Sequence, residues 1–339
     1  MVGRYLGHLP LEDPLYTYLQ THIAPQTGNV QPDACYRVFR FADSRDVYLY
    51  EDIYSGLKFV GKFFKSSDSN HARNKGEREF NNLLFLRSLG LSSPPYCVVR
   101  PYGFNSAIDN VLVLEYIDAV PLSAIIDSAL RHGKTQRLYR TLSALARFLA
   151  VFHCRTAGNH SVDFDESRQY MESLLRSLMV KRGLGNEQAD EFRFWADAWR
   201  RRSCMWEDCA VLVHGDVTPS NLLFGQNRDV FAIDLEKMKW ADRVFDLGRL
   251  CGELKHFFFR ATGNPMAAEP FIGHFLWEYV HDQPDKEGAF VFITRRMRCT
   301  PLSRQKSVLF KVDCFPGRPL LLVCALSAEL SCVLSCLCP

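Results

Sequence analysis

The stretch "VHGDVTPSNLLF" (residues 213–224) gathers a histidine, an aspartate and an asparagine into one short loop between two apolar clusters. Asp216 and Asn221 stand five positions apart with Pro219 between them, and a second aspartate, Asp234, follows in "VFAIDLE" (residues 230–236). Taken singly, each is an ordinary turn residue or strand-end cap. Their joint spacing reads otherwise. "AVLV" is a short buried strand, and "NLLFG", a turn at "QNRD" and "VFAIDLE" form a hairpin. Asn221 then begins one strand and Asp234 ends the other, so their side chains converge at its open end. Two oxygen donors facing one point suit Mg²⁺, which takes hard oxygen ligands and keeps water and phosphate as further partners. A carboxylate that the metal does not need, Asp216, is left to accept a proton from a hydroxyl.

Upstream, residues 36–65 alternate apolar and polar positions and are rich in aromatics and valine, which predicts a three-stranded antiparallel meander with turns at "ADSRD" and "DIYSG". "HARNKGEREFNNLLFLRSLGL" reads as a helix with a glycine stop at Gly90, and residues 96–104 and 110–117 as two further strands. The expectation is a five-stranded antiparallel sheet plus one helix over residues 1–115. From Leu122 the periodicity becomes helical, with a small β insert around the opening loop and two more helices, "DLGRLCGELKHFFFR" and "EPFIGHFLWEYVHD", after it. This predicts a second, larger, mainly helical domain over residues 116–298.

The net charge of +3 is too small to argue for nucleic acid or an acidic membrane surface. The N-terminal residues carry prolines and acids early and no long apolar run, so no membrane association is expected and a cytoplasmic location is the default. Of the twelve cysteines, the first six lie scattered without a CxxC pair, and Cys204, Cys209 and His214 match no zinc spacing.

A catalytic loop holding an Asp and an Asn, with a later Asp for the metal, is the protein-kinase arrangement. "HGDVTPSN" followed by "AIDLE" resembles the aminoglycoside phosphotransferase and choline kinase group, small-molecule relatives of protein kinases, across about residues 36–298. The resemblance implies a bilobal, protein-kinase-like α+β fold, and ATP and Mg²⁺ as cofactors. It makes Asp216 the catalytic base, Asn221 and Asp234 the Mg²⁺ ligands, and His214 the structural histidine before the loop. Glu236 completes the family's D-x-E pattern as a weaker metal candidate, and Asp246 in "DRVFDLGRL" resembles the aspartate that braces the catalytic loop.

The first domain then supplies the nucleotide clamp. In "KFVGKFF", Lys62 stands on the third strand, where kinases hold the α- and β-phosphates, with Lys58 and Lys65 competing for the role. Its partner is a glutamate of the next helix, Glu79 by the apolar stripe that follows it, with Glu77 the alternative. Glu115, Tyr116 and Ile117 form the adenine-reading hinge. "GLKFVGKF" nearly spells a P-loop, but Phe63 has no hydroxyl for Mg²⁺ and the intervening residues are strand-like. The protein-kinase glycine loop is missing, so the turn "FADSRD" must cover the phosphates through backbone amides and Ser44. Thr218 stands where protein kinases often carry a lysine. After Asp234 the chain reads "DLEKMKWADRVFD", with neither D-F-G nor A-P-E, which argues against a regulated protein kinase.

Residues 155–210 form the helical insert that in this family walls the acceptor pocket. Its acids and aromatics suit a cationic acceptor, its many arginines do not, and the acceptor stays broad: a small-molecule hydroxyl of the sugar, aminoglycoside or amino-alcohol class. A nucleotide-binding pseudokinase scaffold is the alternative function. Residues 299–339 change character to cysteine, leucine and serine. A cysteine-rich helix, a short membrane anchor opposed by Glu329, a metal tail and a frame-altered end compete, and the break in composition favours the last.

Overall fold

The computed structural model of the chain describes residues 3–28, 31–42 and 46–297. In chain order its elements begin with β1 (Arg4–His8), α1 (Pro14–Tyr18), β2 (Tyr36–Arg40), β3 (Val47–Asp52), β4 (Lys58–Phe63), α2 (Ser69–Ser88), β5 (Ser92–Ser93), β6 (Tyr96–Val98), β7 (Pro101–Asn105) and β8 (Val111–Glu115). There follow β9 (Val120–Pro121), α3 (Leu122–His132), α4 (Thr135–Arg155), α5 (Phe164–Arg182), α6 (Asn186–Arg200), β10 (Val211–Val213) and β11 (Leu222–Phe224). The last are β12 (Val230–Ala232), β13 (Lys239–Ala241), α7 (Val244–Thr262), α8 (Glu269–Tyr279) and α9 (Lys286–Met297). Two compact units result. One holds the described residues up to Ala119 together with Gly225–Lys237, and the other holds Val120–Phe224 with the described residues from Met238 onward.

The first unit is built on an antiparallel sheet of six strands in the order β1-β2-β3-β4-β8-β7, one more than the five expected from the sequence. The added strand is β1, which pairs with β2 at the sheet edge. Four of its five residues are exposed, so no alternation of apolar positions announces it. A second correction concerns "YCVVRPYGF", expected as one strand. It divides into β7 of the large sheet and β6, which runs parallel to β12. Both halves include buried residues, and the apolar run conceals the change of sheet.

Physical causes are visible at each turn. Asp52, buried at the end of β3, accepts the amides of Cys35 at 2.9 Å and Ser55 at 3.0 Å, and Gly56 closes the turn at φ +71°, where a side chain would be strained. Phe59 of β4 is fully buried against Tyr36 and Tyr102, and burying a ring of this size contributes about 2–3 kcal/mol. Helix α2 starts on Asp68, whose carboxylate accepts the Asn70 amide at 2.9 Å. A side chain at Gly76 would meet the Phe104 ring at 2.3 Å and Phe64 at 2.9 Å, so glycine is what lets α2 lie this close to the sheet. Glu79, three residues on and therefore on the same helix face, is carried inward with it.

In the second unit α4 packs against α8, and the short pair β10–β13 supports the opening loop from below, with Val211 opposite Ala241 and Val213 opposite Lys239. The helical insert has its own core of Phe164, Met171, Leu175, Leu178, Ala196, Trp199 and Met205. Helix α9, not expected from the sequence, is tied in by Arg296. That guanidinium pairs with Asp208 and Asp242, while Arg243 Nε lies 2.9 Å from the same Asp208 oxygen. Among the described residues no helix is long and apolar enough to cross a membrane.

Candidate active site

In the first unit, four side chains from three segments meet. Lys62 on β4 reaches Glu79 on α2 at 2.7 Å, touches Asp234, and reaches Glu236 at 3.3 Å; Lys75 holds the other oxygen of Glu236 at 3.0 Å. The rivals are otherwise engaged: Lys58 pairs with Glu51, Lys65 with Asp46, and Glu77 with Arg73 on the helix surface. Asp234 adopts a left-handed backbone at φ +64°, which aspartate tolerates better than most residues, and the one-turn 3₁₀ segment Leu235–Lys237 follows. That reversal brings Asp234 and Glu236 to the same ammonium. The Asn82 side chain fixes it by donating to the Leu235 carbonyl at 2.9 Å.

Burial pushes the Lys62 ammonium down, but the carboxylates of Glu79, Asp234 and Glu236 outweigh it and hold the group above the ordinary lysine range. Burial raises the Glu79 carboxyl, against the pull of Lys62. One oxygen from each of Glu79, Asp234 and Glu236 lies within 4.8 Å of the others. Three carboxyl groups thus face two ammonium groups, Lys62 and Lys75. Asp234 and Glu236 are the hard, partly exposed oxygen donors that Mg²⁺ takes, so the donor set fits that ion.

Among the other residues expected at the nucleotide, the Glu115 amide is committed to the Arg100 carbonyl at 2.9 Å and its carboxylate accepts the Arg100 amide. The Ile117 carbonyl accepts the Ala119 amide at 3.0 Å, and the Lys58 ammonium lies 5.2 Å over the Tyr116 ring. Ser44 and the stretch 299–339 lie outside the described residues.

In the second unit the opening loop is held by its own atoms and by one buried carboxylate. Gly215 turns at φ +80°. The Thr218 amide donates to the Asp216 carbonyl at 2.7 Å and the Asn221 amide to the Thr218 carbonyl at 3.0 Å. Asn221 Nδ2 donates to the Asp216 carbonyl at 3.1 Å, and its Oδ1 accepts the Ser220 hydroxyl at 3.4 Å, leaving one lone pair of that oxygen for a further partner. Asp246 on α7, wholly buried, accepts the His214 amide at 2.7 Å and the Gly215 amide at 3.0 Å. His214 itself is buried, and its Nδ1 receives the Asp216 amide at 3.3 Å.

Behind Asp246 stands a relay that sequence reasoning did not find. His153 Nε2 lies 3.2 Å from Asp246 and its Nδ1 lies 2.9 Å from the Tyr279 hydroxyl, which Arg243 also bonds. Burial lowers the His153 pKa, against the pull of Asp246, so the ring is neutral near pH 7. An ionised carboxylate only accepts, so Nε2–H donates to Asp246 and Nδ1 takes the tyrosine hydroxyl. The remaining find is Arg249, whose guanidinium donates to Asp216 Oδ1 at 3.0 Å and whose Nε lies 3.6 Å from Glu253. A signal was present: Asp246, Arg249 and Glu253 are charged residues spaced three and four apart among the apolar residues of the first half of the helix, hence on one face.

Glu253 gives a pH test. Burial first, and the Asp216 charge less, push its carboxyl from the ordinary 4.5 up to about 7, against the pull of Arg249. Between those two values the folded state binds the extra proton, so this group's contribution to stability falls as pH rises through the window. Glu253→Gln should therefore gain on the wild type between pH 4.5 and pH 7, by at most about 3 kcal/mol. Denaturant melts at both ends of that window check it, and a constant difference between the two proteins would exclude a proton on Glu253.

The sequence model of a family described as "Phosphotransferase enzyme family" matches residues 40–282. An aminoglycoside 3'-phosphotransferase from Acinetobacter baumannii is 22% identical over 181 residues, which are 53% of this chain and 65% of that protein. The chain thus spans just under two thirds of that relative's length. Of solved structures, a Plasmodium vivax ethanolamine kinase is similar with a TM-score of 0.52 at 14% identity, covering 96% of this chain and 89% of that one. A macrolide 2'-phosphotransferase type I gives a TM-score of 0.52 at 13% identity, covering 97% of this chain and 94% of that one. At these identities the likeness is one of fold, and the fold is the kinase-like α+β arrangement that the sequence leads one to expect.

Proposed function

The chain belongs to the phosphotransferase enzyme family, and from that premise we propose that it transfers the γ-phosphate of ATP to a hydroxyl group of a small molecule. The observation that carries the reading is the Lys62 ammonium gripped by Glu79, Asp234 and Glu236, a cation fixed where phosphate oxygens can displace carboxylates from it. In this reading Lys62 binds the α- and β-phosphates and Glu79 orients it. The backbone of Tyr116 and Ile117 reads the adenine edge, and Glu115 holds that strand end. Ser44 and its turn cover the phosphates. Asp234 and Asn221, with Glu236 in support, hold Mg²⁺, which when bound neutralises charge on the phosphates.

Asp216 orients the acceptor hydroxyl and takes its proton as the oxygen attacks the γ-phosphorus and the bond to the ADP oxygen breaks. Asp246 and His214 keep the loop in the shape that presents that carboxylate. Positioning and fixed charge do most of the work in such a reaction.

Incubating the purified chain with ATP, Mg²⁺ and a panel of sugars, aminoglycosides and amino alcohols tests this. ADP release that depends on one acceptor and is abolished by EDTA is the expected result. Nucleotide-dependent thermal stabilisation without turnover on any acceptor would instead make the chain a nucleotide-binding scaffold.

A further inference from the structure

Arg249 changes what the Asp216 carboxylate offers to an acceptor. It stands on α7 with its side chain only 4% exposed, one nitrogen 3.0 Å from Asp216 and its Nε 3.6 Å from Glu253. A lone carboxylate at an acceptor site is a counter-ion waiting for an amine. Here a guanidinium fixed from within the protein already meets that charge, in a buried setting where charge interactions are strong.

The helical insert points the same way. Three of its acids are spent on its own arginines, with Asp165 held by Arg200 at 2.7 Å and both Glu172 and Asp190 held by Arg193, at 2.7 and 2.8 Å. Four of its rings are committed to packing: Phe164 and Trp199 lie in the insert core, with Phe192 and Trp206 against it. Neither the acids nor the aromatics named remain to cage an ammonium group.

We propose that Arg249 is a specificity-determining residue and that the acceptor is an uncharged polyhydroxyl compound, a sugar or polyol, with no amine beside the hydroxyl that is phosphorylated. This rests on the phosphotransferase reading of Asp216 given above. An ammonium group next to that hydroxyl would approach a guanidinium and find the carboxylate already paired. A carboxylate there would face Asp216 itself. A neutral hydroxyl needs no counter-ion, only an oxygen of Asp216 to take its proton, and neighbouring hydroxyls can both give and take hydrogen bonds.

Matched acceptors decide it: glucose against glucosamine, and glycerol against 3-aminopropane-1,2-diol and glycerate, each as kcat/KM with ATP and Mg²⁺. The wild type should favour the uncharged member of each set by about tenfold or more. Arg249→Gln should bring that ratio toward unity, and Arg249→Lys, which keeps the charge but loses the planar fork, should keep the preference at reduced kcat. A merely structural arginine would lower turnover on all members alike and leave the ratio unmoved, which would overturn the proposal. So would a wild type that prefers the amines, and in that case the phosphotransferase reading stands. If Arg249→Gln does not fold, the wild-type ratios and Arg249→Lys still decide. No turnover on these five would overturn this proposal, and no turnover on the wider panel above would overturn both.

Discussion

Asp216→Asn is expected to lower turnover by about 10²–10⁴-fold, the range over which a positioned general base contributes, while nucleotide-dependent thermal stabilisation remains. The substitution is nearly isosteric. Asparagine keeps an oxygen for the Arg249 guanidinium, and the loop's main-chain bonds to Asp246 do not involve the side chain that changes. Arg249 still has Glu253 beside it, so the cost in stability is the loss of charge assistance in one hydrogen bond, about 1 kcal/mol. What disappears is the negative charge that takes the hydroxyl proton in the proposed reaction. The proposed nucleotide site, Lys62 and its carboxylates, is a separate set of residues, so nucleotide binding has no reason to fall. Retention of a tenth or more of the wild-type kcat would remove Asp216 from the role of base.

The sequence makes the local parts of this arrangement legible and hides the long-range ones, for identifiable reasons. Asp216, Asn221 and Asp234 stand out because polar residues at fixed offsets in an apolar stretch need an explanation. Lys62 stands out by its place on the third strand, though Lys58 shares its face, and Glu79 because the apolar stripe of α2 gives its helix phase. The meander, α2 and the helices from α3 to α8 follow from period and glycine stops. The edge strand β1 does not, because a strand exposed on nearly every residue has no period to read. Arg249 and Glu253 are 33 and 37 residues beyond Asp216, and a charged side chain in a helix reads as solvent-facing until the fold shows it buried. His153 and Tyr279 escape for the same reason: each lies in an apolar helix, and only their meeting across 126 residues makes them a relay to Asp246.

Lys62→Met should have two separable consequences. Nucleotide-dependent stabilisation and turnover should both fall, turnover by at least about 10²-fold, because in the proposed reaction the ammonium is the fixed positive charge offered to the phosphates. The fold should also weaken. Glu79 is fully buried and loses its cation, and removing one partner of a buried pair costs about 3–5 kcal/mol because the other charge is left behind. The upper part of that range is not expected, since Lys62 is itself 16% exposed and a neutral Glu79 can survive by taking up a proton. The double variant Lys62→Met with Glu79→Gln pulls the two effects apart. It removes the orphaned charge, so the melting temperature should recover most of the loss, while turnover and nucleotide response should not recover. Lys75 supports Glu236 in both variants, so the remaining carboxylates keep one cation and do not confuse the comparison. Recovery of turnover together with stability in the double variant would make Lys62 a structural residue only, and would take the phosphate-binding cation out of the proposed reaction.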